Sequence, residues 1–227
     1  MQENFVKETE SLKENLIKMA SLVDQQVEQA TLALETGNIE LCKGIKAKDK
    51  EIDAYDNLIN TQCENILALF QPVAIDLRFI ISTLLINNQL ERCGDIAVNI
   101  AQRVKKTKDF RELIIESRII EMGKQARLMV QDAIDSFING NTEKAHAVLE
   151  ADEVVDTLNK EVFDFLVEKM QADSRLIEGG SHLIVLTKHI ERLADHSTNI
   201  AENLVFYVDA EFISHKKKIL TVSGANI

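Results

Sequence analysis

The chain has 227 residues, 45% of them hydrophobic, with a formal net charge of −11; that is enough for one domain or two small ones with a real core. The acidic excess excludes a general nucleic-acid binder, which needs a basic surface. Aromatics are 5%, Trp is absent, and there are one Pro and eight Gly, so a chain this poor in helix breakers and rich in helix formers is expected to be all-α.

The first predicted helix covers residues 2–36, where Leu12, Leu16, Met19, Val23, Val27, Ala30 and Leu34 recur at three- and four-residue spacings. Gly37 supplies a C-cap and Asn38 an N-cap for a second helix over 39–70. Its apolar positions include Leu41, Ile45, Ile52, Leu58, Ile59, Ile66 and Leu69. Pro72 suits the first turn of a third helix, 72–104. A charged break at 105–111 precedes a fourth helix, 112–139, which ends at Gly140-Asn141 as the first ends at Gly37-Asn38. A fifth follows at 142–171 and a sixth at 175–208, where Gly179-Gly180 could interrupt the start. The tail, 211–227, reads as frayed or weakly docked.

The N-terminus has neither a basic n-region nor an apolar h-region, so no signal peptide is expected. The longest apolar stretch, 79–86, is far too short to span a bilayer. A cytoplasmic protein with no direct membrane insertion is expected. Cys42, Cys63 and Cys93 are odd in number and widely spaced, which suits small buried hydrophobes in a reducing compartment.

The chain repeats itself. Shifted by 103 residues, Met19, Val27, Ala30, Gly37, Asn38, Glu40, Asp49, Ile52 and Asp53 fall on Met122, Val130, Ala133, Gly140, Asn141, Glu143, Asp152, Val155 and Asp156. At the last helix of each half the offset becomes 100, and residues 90–101 and 190–201 share E-R-x-x-D-x-x-x-N-I-A. An amphipathic helix must bury its apolar stripe, and three antiparallel helices with short turns do so. The expected architecture is therefore two tandem three-helix bundles, 1–106 and 107–210, followed by the tail.

Both halves concentrate carboxylates at helical spacing. Glu91 and Asp95, and their counterparts Glu191 and Asp195, are i, i+4 pairs, as are Asp49 and Asp53, and Asp152 and Asp156. If consecutive helices pack antiparallel, four carboxylates per half share one surface. Like charges at this spacing destabilise a helix. Four such pairs in register ask for compensation, and oxygen-only ligands suit Mg, Mn, Ca or Fe better than a thiolate-type zinc site. A solvated face, with Arg92 and Arg192 as local partners, is the bland alternative. Asn99 and Asn199 fit either outer ligands or hydrogen-bond partners of helix ends. His182, His189 and His196, spaced by seven, match Ser82, Gln89 and Ile96 in the first half; they read as ordinary helix residues, with His196 the one plausible ligand.

Enzyme signatures are missing: there is no Gly-rich phosphate loop, G-x-S-x-G, H-E-x-x-H or dinucleotide fingerprint. A ferritin-like metal-binding or oxidase bundle needs two E-x-x-H motifs; there is one, Glu143 to His146, and Lys43 stands where the other half would need the second His. A metal-free helical adaptor is the remaining alternative. A long-helix chain with few aromatics is also expected to pair with itself as a homodimer.

L-E-R-C-G-D-I-A-V-N-I-A at 90–101, Q-P-V-A-I-D-L-R at 71–78, D-K-E-I-D at 49–53 and the second copy of the motif together resemble the PhoU family of phosphate-transport accessory and regulatory proteins. The resemblance covers about residues 8–208. The second half lacks the Q-P-V-A-x-D-L-R stretch and carries Ala194 where the family often has Gly. The resemblance implies two similar three-helix bundles whose E(D)-x-x-x-D motifs bind surface metal clusters, iron in some members and zinc or other cations in others. By position the ligands would be Glu91, Asp95, Glu191 and Asp195, faced by Asp49, Asp53, Asp152 and Asp156. It further implies non-enzymatic down-regulation of phosphate uptake and phosphate-starvation signalling, through the ATPase subunit of the phosphate ABC transporter and a sensor histidine kinase.

Overall fold

The computed structural model describes residues 2–211 and residue 213; the expected behaviour of the tail falls almost entirely outside them. The described chain is all-α, as its composition predicts. The helices are α1 (Gln2–Thr36), α2 (Ile45–Phe70), α3 (Ala74–Lys106), α4 (Arg111–Glu116), α5 (Ile119–Asn139), α6 (Thr142–Ala172) and α7 (Ile177–Asp209). α1, α2 and α3 pack together, as do α5, α6 and α7. α3 then lies along α7, and α1 along α5, so the buried side chains of both halves form one continuous core.

The second helix starts later than its periodicity predicts. Asn38 caps a short 3-10 turn, Ile39–Cys42, by accepting from the Glu40 N–H at 3.1 Å. Lys43 is then extended, and Gly44, at φ +88°, resets the chain before α2. That left-handed conformation suits glycine. In the second half the counterpart of Gly44 is Ala147, and Asn141 caps α6 directly by accepting from Lys144 N–H at 2.9 Å. Similarly, α3 begins at Ala74 rather than at Pro72. The predicted fourth helix is broken: α4 ends at Glu116, capped by Ser117, and Arg118, at φ +61°, caps the start of α5. The Arg118 guanidinium bonds both carboxylate oxygens of Glu121 at 2.8 Å and also pairs with Glu161.

Two side chains from the break between the halves fix how they meet. α1 has no basic residue in its last turn. Arg111 supplies the cation from the second half, donating to the carbonyls of Leu34, at 2.6 Å, and Glu35. Those carbonyls lack helical partners and carry the negative end of the helix dipole. Phe110 lies against Gly179. The paired glycines therefore do not interrupt α7; both are buried inside it, leaving room for Phe110 and for Met170 beside Gly180.

A methyl at Gly179 would stand 2.4 Å from the Phe110 ring, whereas one at Gly180 would meet the flexible Met170 side chain at 2.6 Å. Gly179→Ala should destabilise the fold by about 1–3 kcal/mol, the usual cost of overpacking a core. Gly180→Ala should cost less. Urea unfolding of the two variants checks the order, which should be reversed only if Phe110 can vacate its site.

Candidate metal-binding faces

The acidic residues of the first half come together on the outward side of α2 and α3. The Asn87 side chain donates to Asp56 Oδ1 at 2.6 Å and to Asn60 Oδ1 at 3.2 Å, and with Glu91 near Asp53 and Asp95 near Asp49 the two helices run antiparallel. Moving along both helices from that bond, Asp53 and Asp49 come level with Glu91 and Asp95. Burial pushes the Glu91 carboxyl above its ordinary pKa, and the charges of Asp95, Asp56 and Asp53 push it further, against the Arg92 guanidinium. Asp49 is raised by burial, with Asp95 and Asp53 adding to it and a hydrogen bond from Gln26 opposing. Four predicted carboxylates thus feel one another.

Asp56 is a fifth member that the search for repeats misses. Burial raises it too, against hydrogen bonds from Asn60 and Asn87, with Asp53 adding. Its signal is local: Asp49, Asp53 and Asp56 follow i, i+4, i+7, one helical face. Its counterpart 103 residues on is Asn159, so identity between the halves does not reveal it.

The second half is gathered in the same way but is partly neutralised. Asp195 is raised by desolvation, then by Glu191 and Asp156. Asp152 is half-buried one turn before Asp156 on α6. Glu191 accepts from Lys188 at 2.7 Å and from Asn159 at 3.1 Å. The position matching Lys188 is Asn88, which takes the Arg92 Nε at 3.0 Å instead of a carboxylate. The first-half cluster therefore carries more uncompensated charge.

Among the described residues, no three His, Cys, Asp or Glu side chains converge as they stand into a group able to hold a metal ion. The chemistry of the donors nevertheless fits a hard cation: all oxygen, on rigid helices, with Asp49, Asp56, Glu91 and Asp195 raised in part by neighbouring carboxylates.

Beneath Asp49 lies a buried Gln26, which donates to Ile45 O at 2.9 Å and sits 3.5 Å from Asp49 Oδ1. A methyl at Gly94 would stand 3.1 Å from its Oε1. The second half has Met129 and Ala194 at these places. The glycine in the first motif thus makes room for a polar side chain that the second half replaces with an apolar one.

The histidines belong to the contact between halves. His196 Nδ1 is 2.7 Å from Gln89 Oε1, and the Asn199 amide also donates to that oxygen at 3.3 Å. Arg103 lies 3.1 Å from His182 Nδ1. Arg78 donates to the Tyr207 carbonyl at 3.3 Å, and the Phe79 and Tyr207 rings meet at 5.5 Å. These contacts make α3 and α7 antiparallel, with the seven-spaced Ser82, Gln89, Ile96 and Arg103 running against the seven-spaced His182, His189, His196 and Asn203. His196 is therefore held across the seam, and Asn199 bonds a side chain of the other half rather than a helix end. The three cysteines are buried and unpaired, and burial pushes the Cys63 and Cys93 thiols up to about 12, so they are inert.

Two related three-helix units, paired through their last helices and each carrying an acidic face, define a tandem-repeat helical protein. The PhoU domain matches this chain twice, over residues 16–104 and 119–204. The PhoU homolog of the phosphate-specific transport system of Aquifex aeolicus is 37% identical over 92% of this chain and 95% of its own length. That of Clostridium acetobutylicum is 31% identical over 90% and 94%. The crystal structure of PhoU from Pseudomonas aeruginosa superposes with a TM-score of 0.84 at 32% identity, covering 91% of this chain and all of that one. The phosphate transport system regulatory protein PhoU from Streptococcus pneumoniae gives 0.81 at 29%, covering 92% and 99%. The chain belongs to the PhoU family.

Desolvation lowers the pKa of His196 from 6.5 to about 4, with Arg92 and Arg192 contributing. A histidine with a lowered folded pKa must stay neutral, so its contribution is present above its ordinary pKa and is lost as pH falls toward the folded value. Relative to His196→Gln, which keeps a hydrogen-bonding group opposite Gln89, the native chain should lose thermal stability between about pH 6.5 and pH 4. Parallel melting curves for both proteins across this window would show no divergence if the seam did not hold His196 neutral.

Proposed function

We propose that this chain is a non-enzymatic accessory protein of a phosphate-specific transport system that restrains phosphate uptake and phosphate-starvation signalling. It works in the cytoplasm by contact with the ATPase subunit of the phosphate ABC transporter and with a sensor histidine kinase, and it pairs with itself as a homodimer. The observation that carries this reading is the PhoU match over both halves, reinforced by relatives covered along almost their full length. No helix among the described residues is long and apolar enough to cross a membrane, which suits action on a transporter from its surface.

The acidic faces bind metal ions in this reading. Asp49, Asp53, Glu91 and Asp95 would hold the cation in the first half, with Asp56 beside them, and Asp152, Asp156, Glu191 and Asp195 in the second. A di- or trivalent ion, iron or zinc by family resemblance and Mg, Mn or Ca by donor chemistry, would supply positive charge where the carboxylates repel one another. The residues' own part is to present oxygen on rigid helices. The second reading is a metal-free adaptor whose acidic faces meet a partner directly through the same outward carboxylates. A ferritin-like oxidase remains disfavoured for lack of a second E-x-x-H motif.

Two measurements test these statements. Removing the gene should raise expression from a phosphate-starvation promoter at high phosphate, and restoring the native chain should lower it again; unchanged expression refutes the regulatory reading. Elemental analysis of protein purified without chelator should find stoichiometric metal, lost when Glu91, Asp95, Glu191 and Asp195 are all changed to Ala. The remaining charge difference predicts that Glu91→Ala with Asp95→Ala costs more metal than Glu191→Ala with Asp195→Ala. Equal, near-zero metal throughout selects the metal-free adaptor.

A further inference from the structure

Two side-chain amides lie wholly inside the bundle, against the first-half acidic face. Gln26 of α1 and Asn87 of α3 are both 0% exposed. Gln26 donates to the Ile45 carbonyl at 2.9 Å and reaches Asp49 Oδ1 at 3.5 Å. Asn87 donates to Asp56 Oδ1 at 2.6 Å, and Asn60 donates to the other oxygen of Asp56 at 3.2 Å. The two amides therefore meet the two ends of the acidic row Asp49, Asp53 and Asp56 on α2, about 10 Å apart along the helix. Each keeps its own oxygen buried without a partner among the described residues, and an unpaired buried acceptor is costly.

The fold does not need either amide. At the equivalent places the second half carries Met129 and Thr187, both buried. Met129 has nothing to donate, and Thr187 donates to the Ile184 carbonyl of its own helix at 2.8 Å. Gly94, which leaves Gln26 its space, is Ala194 there. A buried amide that lacks a full set of partners, in a place where a thioether packs as well, is explained by what it touches rather than by the core. What both amides touch is a carboxylate of the candidate site.

We propose that Gln26 and Asn87 are positioning residues of the first-half cation site, fixing Asp49 and Asp56 from inside the bundle so that the face presents its oxygens to a hard cation in a set arrangement. This rests on the reading that the acidic faces bind metal ions, and it says what makes the first-half face the tighter of the two. A hydrogen bond donated to a carboxylate favours its ionised form, the form that binds a cation. Being neutral, the amides do this without cancelling the charge, whereas Lys188 in the second half both orients Glu191 and neutralises it. Removing a group that holds a metal ligand in place typically weakens metal binding by about ten- to a hundredfold.

The test titrates chelator-stripped protein with Mn(II) alone and counts the free ion by its electron paramagnetic resonance signal. The chain with Glu191→Ala and Asp195→Ala serves as parent, so that only the first-half face is read. Gln26→Met and Asn87→Thr install the residues of the second half. Together they should weaken Mn(II) binding by about tenfold or more relative to the parent. Thr83→Val is the control. Thr83 is equally buried and its hydroxyl has no partner among the described residues, so its replacement should leave binding unchanged. Without metal, Gln26→Met should melt at or above the parent, because an apolar chain replaces one with an unpaired oxygen. Affinity lost without stability lost is a pattern that a packing role does not produce. If Asn87→Thr melts early, Gln26→Met alone decides, with weakened binding still expected. A native chain and a parent that both bind no Mn(II) overturn the cation reading and this inference with it. Undiminished binding by the double variant, beside a binding parent, overturns this inference alone. So does equal loss in Thr83→Val, or a loss in Gln26→Met that only follows lost stability.

Discussion

The antiparallel seam between α3 and α7 is the constraint on which the other features depend. Each of these helices carries its half's acidic motif on the outward side and its core residues on the inward side. The seam faces a third direction. Because Gln89 meets His196 and Asn199, and Arg103 meets His182, rotating or sliding either helix breaks partly buried polar contacts, which costs free energy. The seam thereby fixes which faces of α3 and α7 remain turned outward, and so fixes the acidic clusters in space. Arg111 and Phe110 lock the same arrangement from its edge, one on the end of α1 and the other on Gly179 of α7.

The acidic surfaces are uneven as a result of small local choices. In the first half a polar Gln26 reaches beneath Asp49, and Gly94 leaves it space. In the second half Met129 and Ala194 close that space with apolar atoms, while Lys188 and Asn159 take up Glu191. Two stretches related by repetition have come to differ in net charge at the face, not in its position.

Much of this was legible in the residues. The helical period of the buried positions gave the helices, and the matched Gly-Asn breaks gave the order of elements in each half. The i, i+4 carboxylates gave the faces, because on a helix spacing alone decides the side. Features that depend on a single dihedral or on a partner far along the chain were not legible. Gly44 and Arg118 break predicted helices at positive φ, and neither residue type announces this by its neighbours. Leu58 and Leu69 look like core positions by period, but lie on the uncovered side of α2. Asp56 escaped because its counterpart is Asn159. The histidines escaped because their partners belong to the other half, more than seventy residues away, as with Arg103 and His182.

The seam also records what the two halves can no longer do. Its register is symmetric, so a lone first unit could in principle lay α3 against another α3 in the same way. Gln89 would then face Ile96, leaving the amide without a partner in an apolar setting. A lone second unit would set His189 against His196, two imidazoles both facing the charge of Arg192. Only the mixed pairing gives Gln89 its imidazole. The seam therefore suits the mixed pairing better than either like pairing, and a fragment carrying either half alone would expose a mismatched edge rather than a ready-made dimer.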